Sequence, residues 1–273
     1  VSQANSRPII GVFDSGFGGL TVLRALLQQL PGADFVYLGD TAHLPYGSKS
    51  QAMITRYTDA AIRFLVEKGA ELVVVACNTA SALALPSLEA SAPVPLVGVI
   101  GPGAEAAAAI APPGSAALVL ATEATVASHA YADACAAAGL GAIEKACPLF
   151  VPLVEEGWTD NPITEQVAAV YLGEAIANPS HPPAVIVLGC THYPLLHGLL
   201  DRTAANIAGP IPVVDSAEAT ARHTATLLPH ATIAGAEPNL KFFATDSAAK
   251  FQRFAPRFLG REIDHVEQVD LDS

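Results

Sequence analysis

At 273 residues, with 51% hydrophobic and 15% charged residues, the chain has the make-up of a folded protein with a sizeable core, which excludes intrinsic disorder. Its formal net charge is -12 and its 14 Lys and Arg residues do not cluster. That argues against nucleic acid or an anionic membrane as the main partner, because both are gripped through basic patches.

The opening segment, "VSQANSRPIIGVFDSG", lacks a basic start, a long apolar core and a small-residue cleavage site, so no secretory leader is expected. The first apolar run, "PIIGVF", reads as a strand that ends at Asp14 and Ser15. Gly16, Gly18 and Gly19 then let the backbone turn tightly into a helix over "GGLTVLRALLQQL", closed by Pro31 and Gly32. This turn is expected to leave helix N–H groups free for an anion. It is not a nucleotide loop, since the glycine spacing misses the dinucleotide fingerprint and no Gly-Lys-Ser/Thr follows. Asp-Ser-Gly also occurs in aspartic proteases, with "VVDSA" at 213–217 as a conceivable mate, but those enzymes are β-rich and this chain is full of helices.

The strand "DFVYLG" runs into Asp40 and Thr41, and a helix over "SQAMITRYTDAAIRFLVEKG" is bounded by Ser50 as N-cap and Gly69. Next, "ELVVVA" stops at Cys77, Asn78 and Thr79, and "PLVGVI" and "AALVLA" follow, the second reaching Thr122. Helices are expected from about 128 to 138, stopped by Gly139, and from about 163 to 177. Finally "AVIVLG" meets Cys190, Thr191 and His192, "IPVVDS" meets Asp215 and Ser216, and "LKFFAT" closes the set of strands. Apolar runs alternating with helices predict an α/β protein with mainly parallel sheets. Ligands of such sheets sit at the carboxyl ends of strands, where these polar residues gather, so one active site fed by several strand ends is expected. The uncharged stretches 72–88 and 106–122 both contain proline and do not read as membrane spans, so the chain is expected to be soluble and cytoplasmic.

Four cysteines occur, at 77, 135, 147 and 190, and without a leader they are expected to stay reduced. Cys77 and Cys190 hold equivalent places, each just past an apolar strand and followed by polar residues. This suggests an internal duplication, with "GVFDSG" and "VLATEAT" as a second matching pair. The expected boundaries fall near Ile100 and near Gly209-Pro210: a first domain of 1–99 plus 209–273 carrying Cys77, and a second of 100–208 carrying Cys190.

Two thiols facing each other across one carbon can take a proton from one face and give one to the other, which inverts a stereocentre. Helix N-termini near strand ends favour the thiolate. Asn78, Thr79 and Thr191 offer neutral donors suited to carboxylate oxygens. The plainer reading of a buried cysteine is a small apolar residue, and it is the reading for Cys135, inside an Ala-rich helix, and Cys147, before a proline. Cys190, His192 and His197 match no common zinc spacing, so no metal is expected. No cofactor is expected either: the lysines at 49, 68, 145, 241 and 250 lie off the strand ends, which disfavours a Schiff base.

The segments "GVFDSGFGGLTVL", "YLGDTAHLPYG", "VVVACNTASA", "ATEATVASHAY", "CPLFVPLVEEG", "VLGCTHYPLL" and "VVDSA", in order from residue 11 to 217, strongly resemble glutamate racemases. These are cofactor-independent bacterial enzymes that supply D-glutamate for peptidoglycan. The resemblance implies two similar α/β domains related by a pseudo-two-fold, with the site between them, and a homodimer of unspecified geometry. It implies Cys77 and Cys190 as the acid/base pair, Asp14 assisting Cys77, and His192 with Glu155 assisting Cys190; Glu156 is the neighbouring alternative to Glu155. Substrate contacts are implied for Asp14, Ser15, Tyr46, Gly47, Asn78, Thr79, Thr191 and His192, with Thr122 beside them. Aspartate racemases share the two-thiol logic but carry Glu after the second Cys-Thr; His192 here favours glutamate. A catalytically silent binding module is the rival of another class, and retention of both cysteines argues against it. Because a thiolate is a weak base for an amino acid's Cα–H, the site must stabilise carbanion character and exclude water. A small closed pocket and a domain motion are therefore expected.

Overall fold

The computed structural model describes residues 7–177, 182–233 and 235–271. Apolar runs too short for helices, rich in β-branched residues and buried on both faces, become parallel strands. In the first half these are β1 (Ile9–Asp14), β2 (Asp34–Gly39), β3 (Leu72–Val75) and β4 (Leu96–Gly98). The second half supplies β5 (Ala116–Ala121), β6 (Gly141–Ala146), β7 (Pro183–Gly189) and β8 (Val213–Asp215), and β9 (Leu240–Ala244) and β10 (Glu267–Gln268) follow. They form a six-stranded sheet of order β10-β9-β2-β1-β3-β4 and a four-stranded sheet of order β6-β5-β7-β8, with every pairing parallel.

The order β2-β1-β3-β4 in the first sheet repeats as β6-β5-β7-β8 in the second. Thus β3, which precedes Cys77, corresponds to β7, which precedes Cys190, and β1 corresponds to β5, matching the pairs of segments noted in the sequence.

Helices fill the connections. α1 (Leu20–Gln29) follows β1, α2 (Gln51–Glu67) precedes β3, and α3 (Asn78–Leu83) and α4 (Leu85–Leu88) follow it. After β4 comes α5 (Ile100–Ile110), then α6 (Glu123–Ser128) and α7 (Ala130–Ala137) after β5, and α8 (Phe150–Glu155) and α9 (Pro162–Ile176) after β6. α10 (His197–Ala208), α11 (Ser216–Leu227) and α12 (Ala248–Leu259) complete the set. The helix after the fourth strand of each half crosses to the other: α5 packs on α7 and β7, whereas α11 packs on α1 and α5. The two sheets thereby share one continuous apolar core.

Several expectations need correction. β8 hydrogen-bonds to β7, so the chain returns to the first sheet only at β9, after α11, and not near Gly209-Pro210. β6 was not expected; it lies at the sheet edge with no fully buried residue, so its run "GAIEKA" lacks the apolar signature of a central strand. The helix expected from about 128 begins at Ala130, because His129 adopts the left-handed conformation (φ 55) and separates it from α6. Ser50 occupies the N-cap of α2 but its side chain makes no capping bond.

The glycine turn after β1 also differs. The Leu20 and Thr21 N–H groups donate to the carbonyls of Phe17 and Gly18, at 3.2 and 3.0 Å, and are not free for an external anion. The anion this turn holds is internal: Gly16 N–H donates to Asp14 Oδ2 at 2.9 Å, and the Gly19 and Ser15 N–H groups also support that carboxylate.

Candidate active site

β3 and β7 end in the same way, each delivering a cysteine to the gap between the sheets. Cys77 stands at the N-cap of α3 and Cys190 directly after β7, and both line a single cavity of about 330 Å³. Both cysteines are buried.

On the Cys77 side, the thiol donates to Ser15 Oγ at 3.5 Å. Ser15 lines the cavity, but Asp14 does not; its carboxylate lies buried off the lining. One Asp14 oxygen is held by the turn, while Oδ1 has no partner among the described residues. The segment Leu44 to Gly47 forms another wall, with Tyr46 and Gly47 on the lining as expected. Tyr46 does not offer its hydroxyl to a ligand, however: it donates to Asp40 Oδ2 at 2.6 Å, and Asp40 also accepts from Thr245 Oγ1 at 2.8 Å. The strand-end carboxylate of Asp40 is thus an anchor for this loop.

Asn78, Thr79, Thr122 and Thr191 all line the cavity. The hydroxyls of Thr79, Thr122 and Thr125 form a triangle with edges of 3.1, 3.3 and 2.9 Å, which ties α3 to the start of α6. A second tie between the halves runs from Thr21 Oγ1 to the Thr191 carbonyl at 3.1 Å.

On the Cys190 side, His192 lies against the rings of Phe17 and Phe258. Its Nε2 faces Glu155 Oε1 at 3.5 Å, too loose for an aligned hydrogen bond. Glu156 also lines the cavity, yet it is Glu155 that faces the imidazole. The other Glu155 oxygen stands 3.8 Å from Lys250 Nζ, and its backbone carbonyl accepts from Arg257 at 3.1 Å. Lys250 also lies on the lining, although it stands on a helix and off the strand ends. It lies in the first turn of α12, after β9. Cys135 and Cys147 are buried and lie off the lining.

Burial pushes the Cys77 thiol up to about 11, and the nearby Asp14 carboxylate adds to this against the stabilising Ser15 contact. Cys190 is pushed up further by burial first and then by Cys77 and Asp14, while the His192 N–H opposes. Burial also raises Asp14, with His192 opposing. Burial would raise Glu155 as well, but the facing His192 and Lys250 outweigh it and hold the carboxyl below its usual value. Both thiols are therefore neutral near pH 7 in the free protein, since a raised pKa favours the protonated form. Peptide-resolved alkylation by iodoacetamide should show Cys77 reacting with a midpoint near pH 11, whereas an unperturbed thiol would titrate near pH ~8.5. A midpoint at the unperturbed value would show that the thiol is not desolvated. A cationic group entering the cavity would lower both thiols, so ligand binding itself can generate the thiolate.

Residues 10–224 match the model of the Asp/Glu/Hydantoin racemase family. The chain belongs to this family. Within it the chain stands with the glutamate racemases: one from Koribacter versatilis (strain Ellin345) is 49% identical, covering 98% of this chain and 99% of the relative. Among solved structures, glutamate racemase from Thermus thermophilus in complex with beta-chloro-D-alanine superposes with a TM-score of 0.84 at 41% identity, covering 97% of this chain and 98% of that one. The Francisella tularensis glutamate racemase in complex with D-glutamate gives a TM-score of 0.85 at 33% identity with the same coverage. The mixed α/β fold with two mainly parallel sheets is thus the racemase fold of this family.

Proposed function

We propose that this family member interconverts L- and D-glutamate without a cofactor, through proton transfer at Cα by two opposed thiols. The observation that carries the reading is the pair Cys77 and Cys190, delivered by corresponding strands of two like-ordered sheets to one small cavity. One cysteine, as thiolate, takes the Cα proton and becomes a thiol; the other, as thiol, gives its proton to the opposite face and becomes a thiolate. Atoms and charge balance, and the reverse reaction exchanges the roles. The substrate ammonium favours the initial thiolate, and exclusion of water when the halves close on the substrate strengthens every donor that stabilises the carbanion-like transition state.

In this reading Asp14 supports proton movement at Cys77, and the His192–Glu155 pair does so at Cys190. Ser15, Asn78, Thr79, Thr191 and the 45–47 segment receive the two carboxylates. Because both thiols are buried, we infer that the halves part to admit substrate. Among the described residues no helix is long and apolar enough to cross a membrane. A cytoplasmic place in D-glutamate supply for the bacterial cell wall is part of this reading, which rests on the likeness to glutamate racemases of bacteria.

Chiral chromatography of separate incubations with L-glutamate and L-aspartate, without added cofactor, tests the assignment. D-glutamate should form about 10- to 200-fold faster than D-aspartate, the scale on which a missing methylene is rejected. D-aspartate forming as fast or faster would move the substrate to the shorter acid.

A further inference from the structure

Asn78 begins α3, immediately after Cys77, and lines the cavity while only 3% exposed. An amide tip carries an acceptor oxygen and a two-proton donor, and leaving either buried and unpaired is costly. The two ends of Asn78 are treated differently. Its Oδ1 accepts from the Tyr131 hydroxyl at 2.7 Å, whereas Nδ2 is buried with no partner among the described residues.

Tyr131 belongs to the other half of the molecule, on α7, and is fully buried. Its ring packs closely on a neighbour that has no side chain: a Cβ on Gly189 would stand 3.0 Å from the ring. The Tyr131 hydroxyl thus donates to Asn78 Oδ1, and this leaves the NH₂ as the end available to the cavity.

We infer that Tyr131 is a positioning residue for ligand recognition: it locks the Asn78 amide so that Nδ2 is a preset donor for a carboxylate oxygen of the substrate. The unpaired, buried donor is the mark of a site awaiting an acceptor, and a carboxylate supplies the strongest neutral-donor bond without adding positive charge that would disturb a thiolate. Without the tyrosine hydroxyl the amide is free to turn and can present its oxygen, which repels a carboxylate. The inference rests on the glutamate reading for the identity of the substrate, and on the structure alone for the direction of the amide.

The test combines Tyr131→Phe with Asn78→Ala in steady-state racemisation of L-glutamate. Tyr131→Phe should raise KM about tenfold with kcat changed by less than about threefold, the scale of one hydrogen bond to a charged group. In the Asn78→Ala background the same substitution should change KM by less than about twofold, since its effect passes through the amide. An unchanged KM in Tyr131→Phe, or an equal penalty in both backgrounds, overturns the inference. A measurement on the unmodified protein stands apart from variant folding: the side-chain NH₂ signal that Asn78→Ala removes is followed by ¹⁵N NMR during titration with glutarate. Its displacement on titration supports the inference, and an unmoved signal overturns it whether or not glutarate binds. Failure of the protein to racemise either amino acid would remove the functional reading, while the glutarate titration would still decide the direction of the amide.

Discussion

Cys77→Ser and Cys190→Ser should each lower the racemisation rate by about 10²- to 10⁴-fold, the range in which a positioned acid or base contributes. Each proton transfer needs its own cysteine, one to take and one to give, so the double variant should lose little more than either single one. Both thiols face one cavity, whereas Cys135 and Cys147 are buried off it. Cys135→Ala and Cys147→Ala should therefore keep turnover within about threefold, losing only the packing of a small side chain. Initial rates by chiral chromatography check all four, with calorimetric binding of D-glutamate to show that the serine variants retain the ligand. Loss of activity in Cys147→Ala equal to that in Cys190→Ser would remove the special standing of the strand-end pair.

Gly18→Ala is the second change expected to be severe, although Gly18 touches no ligand in this account. A Cβ there would stand 2.3 Å from Thr191 Oγ1 and 2.6 Å from the His192 ring, in the wall that carries Cys190. Neither neighbour is the free end of a long side chain, so the wall must move. Overpacking of this kind costs about 1–3 kcal/mol of stability. A shift of about 1 Å in the wall lowers turnover by about 10²-fold. Gly101→Ala is the control, because a Cβ at Gly101 meets nothing within 4 Å and the residue lies within α5. It should leave kcat unchanged and stabilise the helix by up to about 1 kcal/mol. Thermal unfolding and steady-state rates separate the two; equal behaviour of both variants would show that Gly18 is not a close-approach position.

The central strands were legible because a parallel strand buried on both faces must be a continuous apolar run, as "ELVVVA" and "AVIVLG" are. The correspondence of Cys77 and Cys190 was legible for the same reason, since each follows such a run directly. β6 was not, because an edge strand does not need that signature. Sheet membership of β8 was hidden as well: "IPVVDS" announces a strand but not its neighbour, which is fixed by long-range pairing with β7. At the site, residue type located the wall but not its orientation. Tyr46 was placed on the cavity, yet only the fold shows its hydroxyl spent on Asp40. Asp14 has the chemistry of a contact residue, yet the glycine turn holds its carboxylate off the cavity lining. Lys250 and Tyr131 lie on helices far along the chain from both cysteines, and only tertiary packing brings them to the site.

The most direct test of two opposed thiols is racemisation of L-glutamate in D₂O, sampled at low conversion by NMR and chiral separation. Two separate bases predict deuterium at Cα of the D-isomer while the remaining L-glutamate keeps its hydrogen, because the proton given to the product comes from a thiol already exchanged with solvent. Equal deuterium in both isomers would mean that one group serves both faces, and that result would contradict the account.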